Sequence, residues 1–260
     1  MNNKILLLAV ICLVPIGLSA QEKPSEEEVP EEIGAYLRVW CGLAPQQPPK
    51  EFGYRMPFDT PRRLILKDAK GEETRLYNQI LPFMVRGYNS VPAGEGQLEL
   101  VEDLSASDPS VGFRSLAGMP VRLQKSKYYT AAIWLEAGKI ALKVWEDLPA
   151  ILPPPQPDAP APPPKRMLRV FNLAPNTRAL IASKDADINL NCSDTVWPKK
   201  EEIPAGSWKI FVQGITNNSR FQSELALDYK QPANYSILLI GNSYNKTSVR
   251  VMPDAALPEE

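Results

Sequence analysis

Arg38 and Arg169 occupy matching places, each one valine away from an aromatic ring, in Arg38-Val39-Trp40 and Arg169-Val170-Phe171. A guanidinium lying over a ring face makes a cation-π platform for an anionic or sugar ligand. The same pairing also arises on an ordinary strand surface, where arginine simply covers the ring. Arg55, Arg62 and Arg63, with Lys67, form a second basic cluster that suits an acidic polysaccharide or an acidic partner surface. Glu72 and Glu73 follow closely, so a turn between the two groups would leave a balanced, solvated hairpin.

Other combinations carry less chemistry. Tyr128, Tyr129, Trp134 and Trp145 are rings on which sugars stack, yet Tyr129 recurs as Tyr235 in a related stretch, which marks a core or corner position. Glu102-Asp103 and Glu146-Asp147 are adjacent carboxylates. Neighbours on a strand point to opposite faces, whereas a glycosidase pair must face across a cleft. The triplets at Asn191, Asn234 and Asn245 would accept a glycan only in a eukaryotic secretory route. The chain has no histidine, which removes Ser-His-Asp triads, Cys-His dyads and imidazole metal ligands. Carboxylate-only or Ser-Lys catalysis survives that exclusion. No catalytic residue, cofactor or metal is expected.

A net charge of -1 argues against nucleic acid, which would require a basic stripe. Residues 1–20 have the form of a signal peptide: Lys4, a short apolar run from Ile5 to Val14, then Leu18-Ser19-Ala20 as a cleavage site. No later segment approaches membrane-spanning length, so a periplasmic or secreted protein is expected. Cys41 and Cys192 remain after cleavage, one in each half of the chain, and are expected as buried thiols.

Residues 21–33 are acidic and expected to be disordered. Residues 149–165 are proline-rich and expected to form a stiff, extended spacer. The two sides of that spacer repeat each other in four blocks in the same order. Leu37–Pro45 matches Leu168–Pro175, and Val91-Pro92-Ala93-Gly94 matches Ile203-Pro204-Ala205-Gly206. Tyr129–Ile133 matches Tyr235–Leu239, and Leu142–Asp147 matches Val249–Asp254. The blocks alternate apolar and polar residues, which predicts strands, while 233–241 is continuously apolar, as in a strand covered on both faces. Asp68–Gly71 predicts a hairpin turn. The expectation is an all-β chain of two tandem immunoglobulin-like or jelly-roll-like antiparallel β-sandwiches, at 34–148 and 166–254, with a tail at 255–260. The first copy is longer, and its excess, including Pro57–Arg63 and Leu81–Met84, is expected to carry a binding surface.

The signatures Arg-Val-aromatic-x-x-Ala-Pro, Pro-Ala-Gly before a strand, and Tyr-Tyr-Thr or Asn-Tyr-Ser opening an apolar strand resemble the AlgF family of periplasmic accessory proteins in alginate O-acetylation, and related exported bacterial domains. The resemblance is carried best by Leu168–Asn172 and Lys127–Thr130, and the long insertion and spacer depart from it. It implies a non-catalytic adaptor whose partners are envelope proteins, such as a polysaccharide acyltransferase, or an acidic polysaccharide. The alternatives are a cell-surface carbohydrate-binding or adhesion module, and an enzyme with histidine-free chemistry.

Overall fold

Alternation along β1 (Ala35–Cys41) decides the layering of the molecule. Leu37, Val39 and Cys41 point into one apolar interior, while Arg38 and Trp40 point the other way and are buried just as completely. A strand with two covered faces needs a layer on each side. The computed structural model describes residues 34–43, 62–104, 112–149, 166–174, 176–184, 188–192, 199–203, 207–216, 218–228, 234–241 and 247–255. The expected signal peptide, the acidic segment, most of the proline-rich segment, Arg55 and nearly all of the tail lie outside the described residues.

The first half holds two sheets. One joins β1 to β4 (Asn89–Val91), β7 (Tyr128–Glu136) and β8 (Lys139–Asp147) in the order β4-β1-β7-β8. The other joins β2 (Arg62–Asp68), β3 (Glu73–Tyr77), β5 (Gly94–Asp103) and β6 (Phe113–Leu123) in the order β3-β2-β5-β6. The second half repeats both. Its sheets are β12 (Lys199–Ile203), β9 (Arg166–Asn172), β15 (Asn234–Gly241) and β16 (Thr247–Asp254), and then β11 (Ile188–Cys192), β10 (Thr177–Ser183), β13 (Ser207–Thr216) and β14 (Ser219–Asp228), in those orders. Every strand of one half has its counterpart eight strands later. No helix occurs among the described residues. Two tandem β-sandwiches are therefore the architecture.

Each sandwich closes its own interior. Leu37, Val39 and Ile133 meet Leu64, Leu98 and Leu100 in the first, and Leu168, Val170 and Ile237 meet Ile181, Ile210 and Val212 in the second. Each such side chain contributes about 1.5–3 kcal/mol on burial. Cys41 and Cys192 are buried thiols in these separate interiors and are not joined to each other. The hairpin between β2 and β3 forms where expected, with the Asp68 carboxylate accepting from the backbone N–H of Lys70 and Glu72 at 2.8 Å each. One feature differs from purely antiparallel sheets: β1–β7 and β9–β15 pair in parallel. These strands are joined through the other sheet of their sandwich, so no hairpin forces them to run in opposite directions.

A third apolar cluster joins the halves. Trp40, Ala132 and Trp134 pack against Phe171, Leu173, Leu238 and Ile240, so the sheets containing β1 and β9 face each other across a seam. This explains the unbroken apolar run of β15, whose Ile237 and Leu239 enter the second interior while Leu238 and Ile240 enter the seam.

The seam also bears on the expected spacer. The Asn234 side-chain amide donates to the carbonyls of Leu148 and Pro149 at 2.8 and 3.3 Å and accepts from the Met167 N–H at 2.8 Å. The chain therefore leaves the first half and enters the second at one side chain, and the intervening residues do not hold the halves apart. Removing residues 153–164 leaves a four-residue link between Pro149 and Arg166. Melting temperature and elution volume should be unchanged; a lower melting point or self-association would show that the proline-rich length maintains the fold.

Candidate functional site

The residues expected to form a ligand platform lie inside the seam. Arg38, Trp40 and Phe171 are fully buried and Arg169 is 5% exposed, so neither an exposed cation-π platform nor a solvated strand face describes them. The physical reason is the second half: each strand's outward face is covered by its duplicate. Arg38 lies over Trp40 at 4.2 Å and Arg169 over Phe171 at 5.2 Å, while Trp40 and Trp145 both meet the Phe171 ring edge-on.

The two arginines reach across the seam in mirrored fashion. Arg38 pairs through Nη2 with Asp254 and donates through Nη1 to the Pro253 carbonyl at 2.9 Å. Arg169 donates through Nη2 to Asp147 at 2.5 Å, while its Nη1 lies 3.5 Å from the Glu146 carbonyl. Asp147 and Asp254, like Glu146 and Pro253, occupy equivalent register positions opposite β7 and β15. Each carboxylate is steadied from its own half. Thr130 and Tyr88 donate to Asp147 at 2.5 and 2.7 Å, and Ser236 donates to Asp254 at 2.7 Å. Arg169 Nε also reaches Asp254 at 3.0 Å. Two cations and two anions thus form a neutral, dry cluster. Glu146, next in the chain to Asp147, points outward and pairs with Lys127 at 2.7 Å, as adjacency on a strand requires.

The insertion in the first copy serves the seam in part. Its Val85 bridges Trp40, and Phe83 packs against the seam so closely that a Cβ on Gly241 would lie 2.6 Å from its ring. Gly42 is similarly constrained, since a Cβ there would lie 2.4 Å from the Leu173 carbonyl oxygen.

Arg62 and Arg63 part company. Alternation along β2 sends Arg62 inward, 3% exposed, beside the equally buried Glu102, so it belongs to no surface patch. Arg63 points out from the sheet β3-β2-β5-β6 onto a hollow of about 150 Å³. Register places its groups in rows: Asp103 with Phe113, then Arg63, Val101 and Ser115, then Arg75, Ile65 and Glu99, then Glu73 and Lys67. Ile65 and Val101 form a floor, each 4% exposed, and Phe113 forms a wall, 50% exposed with Arg63 stacked on it at 4.9 Å. Arg63 pairs with Asp103 at 2.8 Å, and Lys67 bridges Glu99 and Glu73 at 3.0 and 3.4 Å. Arg75 has no ion-pair partner among the described residues. Phe113, Arg75 and Ser115 are not singled out by the sequence, because only pairing register brings them beside Arg63. Asp147, Asp254, Thr130 and Ser236 did carry a signal: each stands in a repeated block alongside the repeated arginine.

Buried pairs are costly to break singly. Arg169→Ala, which leaves Asp147 and Asp254 short of a cation, should cost about 3–5 kcal/mol in denaturant unfolding; a loss below about 1 kcal/mol, the level of a surface pair, would mean the seam does not depend on the cluster. Titration supplies a second check. Burial pushes the Tyr88 phenol far above its ordinary value, with Arg38 opposing and Asp147 and Asp254 adding to the rise. Burial pulls Arg169 down, but Asp254 and Asp147 together hold it above the ordinary arginine value. Hydrogen bonding to Glu99, and then to Glu73, raises Lys67. All of these folded-state values are raised, so the protonated forms stabilise the fold fully below the unfolded values and lose that contribution as pH rises through the folded ones. Stability should fall above pH 10, the ordinary phenol value, and Tyr88→Phe should flatten that fall; an equally steep alkaline limb in the variant would remove the phenol from the account.

No family model matches the chain, and no curated protein matches it. Among solved structures it is similar to the crystal structure of a "putative cell adhesion protein" from Bacteroides fragilis NCTC 9343, at 8% identity and a TM-score of 0.24, over 86% of this chain and 99% of that one. A likeness that remote carries no argument about the site.

Proposed function

We propose that the protein is a non-catalytic accessory protein of the cell envelope that contacts an acidic polysaccharide through the hollow on the outer sheet of its first half. The observation that carries this reading is the company kept by Phe113. An exposed ring stands over an apolar floor, ringed by Arg63, Lys67 and Arg75 and by Glu73 and Glu99. A sugar ring stacks its C–H face on an aromatic, its hydroxyls bond to carboxylates and Ser115, and an acidic sugar's carboxylate pairs with an arginine. The carboxylates of the hollow are already paired with cations, which suits recognition better than proton transfer.

Register supports the same surface. By the pairing of β10 with β13 and of β2 with β5, the positions of Arg63, Glu99 and Asp103 are taken in the second half by Leu180, Phe211 and Ile215. The matching strands β13 and β14 carry a hollow as well, lined by Gln213, Ile215, Arg220 and Gln222, so what is particular to the first copy is the charged lining of its hollow. The finer form of the reading is an adaptor that presents the polymer to an envelope acyltransferase during O-acetylation. It rests on the AlgF-like strand signatures.

Arg75→Ala with Phe113→Ala tests the surface, since both side chains are exposed. Loss of a charge-assisted bond and a stacking wall should weaken retention on an immobilised polyuronate by about tenfold or more. Melting temperature should stay unchanged, and raising the salt should weaken binding by the intact protein. Equal retention of variant and parent would overturn the surface. Recovery of an acyltransferase from envelope extracts by the full chain tests the finer form; retention on glycan with no such protein recovered would overturn it alone.

A further inference from the structure

The seam has two components with different symmetry. Its charged part is self-similar: each half brings one arginine, one aspartate and one hydroxyl, Arg38, Asp147 and Thr130 against Arg169, Asp254 and Ser236. Its apolar part is not. Trp40 and Trp145 of the first half occupy the positions of Phe171 and Met252 in the second, and both indoles converge on the single Phe171 ring. Two first halves would bring a pair of indoles from each side into that space, and two second halves would leave it underfilled, so both are disfavoured by packing. The surface that fits a first half is a second half.

Nothing in that fit requires both halves to belong to one chain. The link supplies sixteen residues between Pro149 and Arg166 where closure on one Asn234 needs very few. Extended, that length reaches up to about 50 Å. It also leaves at the rim of the seam, beside Asp254, which Asn234 opposes in register. A link that exits at the rim and exceeds its task lets the second half serve another molecule without strain.

We propose that a second copy of this chain is a partner of the seam, entering by reciprocal exchange of second halves to give a closed dimer with two native seams. The exchanged and unexchanged forms contain the same contacts, so the balance is set by tethering. Tethering makes closure within one chain an intramolecular event, which keeps single chains dominant in dilute solution and yields dimers when chains fold crowded together. The dimer carries two copies of the outer hollow, although the inference does not rest on what that hollow binds.

The test removes the tether's advantage. Arg38→Asp sets two carboxylates against each other at the position where Arg38 meets Asp254, and Asp254→Arg gathers cations there. Each variant, refolded alone, closes a mismatched seam. Refolded together they complement only by exchange: one seam joins the two altered residues with their charges reversed, and the other joins the two native ones. The expected result is a one-to-one heterodimer in light scattering, absent from either variant alone, with a melting temperature restored toward that of the parent. A mixture that behaves as the sum of its components, whether folded or aggregated, overturns the proposal.

Discussion

Two guanidinium groups and two carboxylates are buried between sheets, and each cation meets the carboxylate of the opposite half as well as that of its own. Charges in such a place are tolerated when every one is matched and hydrogen-bonded, since desolvation otherwise exceeds the attraction. Matching requires that β1 and β9 keep their registers against β7 and β15. A slip of one residue would turn Arg38 into the first apolar interior and Leu37 into the cluster. The charges therefore add less to stability than to uniqueness. They exclude alternative registers that the apolar residues, all of similar kind, would tolerate.

The sandwiches themselves were legible because their interiors obey a period of two and because that pattern occurs twice. Leu37, Val39, Leu98 and Leu100 could be assigned inward from spacing alone, and their counterparts Leu168, Val170, Ile210 and Val212 repeat the assignment. The seam was not legible. Arg38 and Trp40 alternate with Leu37 and Val39 as polar and large residues do on a solvated face, and an arginine over a ring looks the same whether covered or open. What distinguishes the two cases is the partner sheet, which no local pattern encodes. One clue was present: Trp40, Ala132, Trp134 and their counterparts Phe171, Leu238 and Ile240 make the outward faces of β1, β7, β9 and β15 too apolar for water.

The closeness of the two halves was hidden for a different reason. Composition fixes the stiffness of a link but not the distance between its ends. That distance is set by Asn234, which is remote in sequence from both ends and binds them through one amide. Arg62 and Arg63 show the limit of composition again. They are identical and adjacent, yet the pleat sends one to a buried place beside Glu102 and the other to the hollow.

Duplication explains which residues look important and which are. A charged position in the seam is constrained by both halves, so arginine, hydroxyl and aspartate recur in both copies, whereas the apolar seam positions differ so as to fit one another, Trp40 against Phe171 and Trp145 against Met252. Among the described residues, the outer sheets contribute none to the seam cluster. They are free to diverge, and they have, with Arg63 and Glu99 in one copy where Leu180 and Phe211 stand in the other. Recurrence of the charged residues thus reports mutual packing, and on the outer sheets difference between the copies marks where they have diverged. The matched arginines hold the halves together, and the unmatched Phe113, Arg63 and Arg75 line the surface proposed for binding.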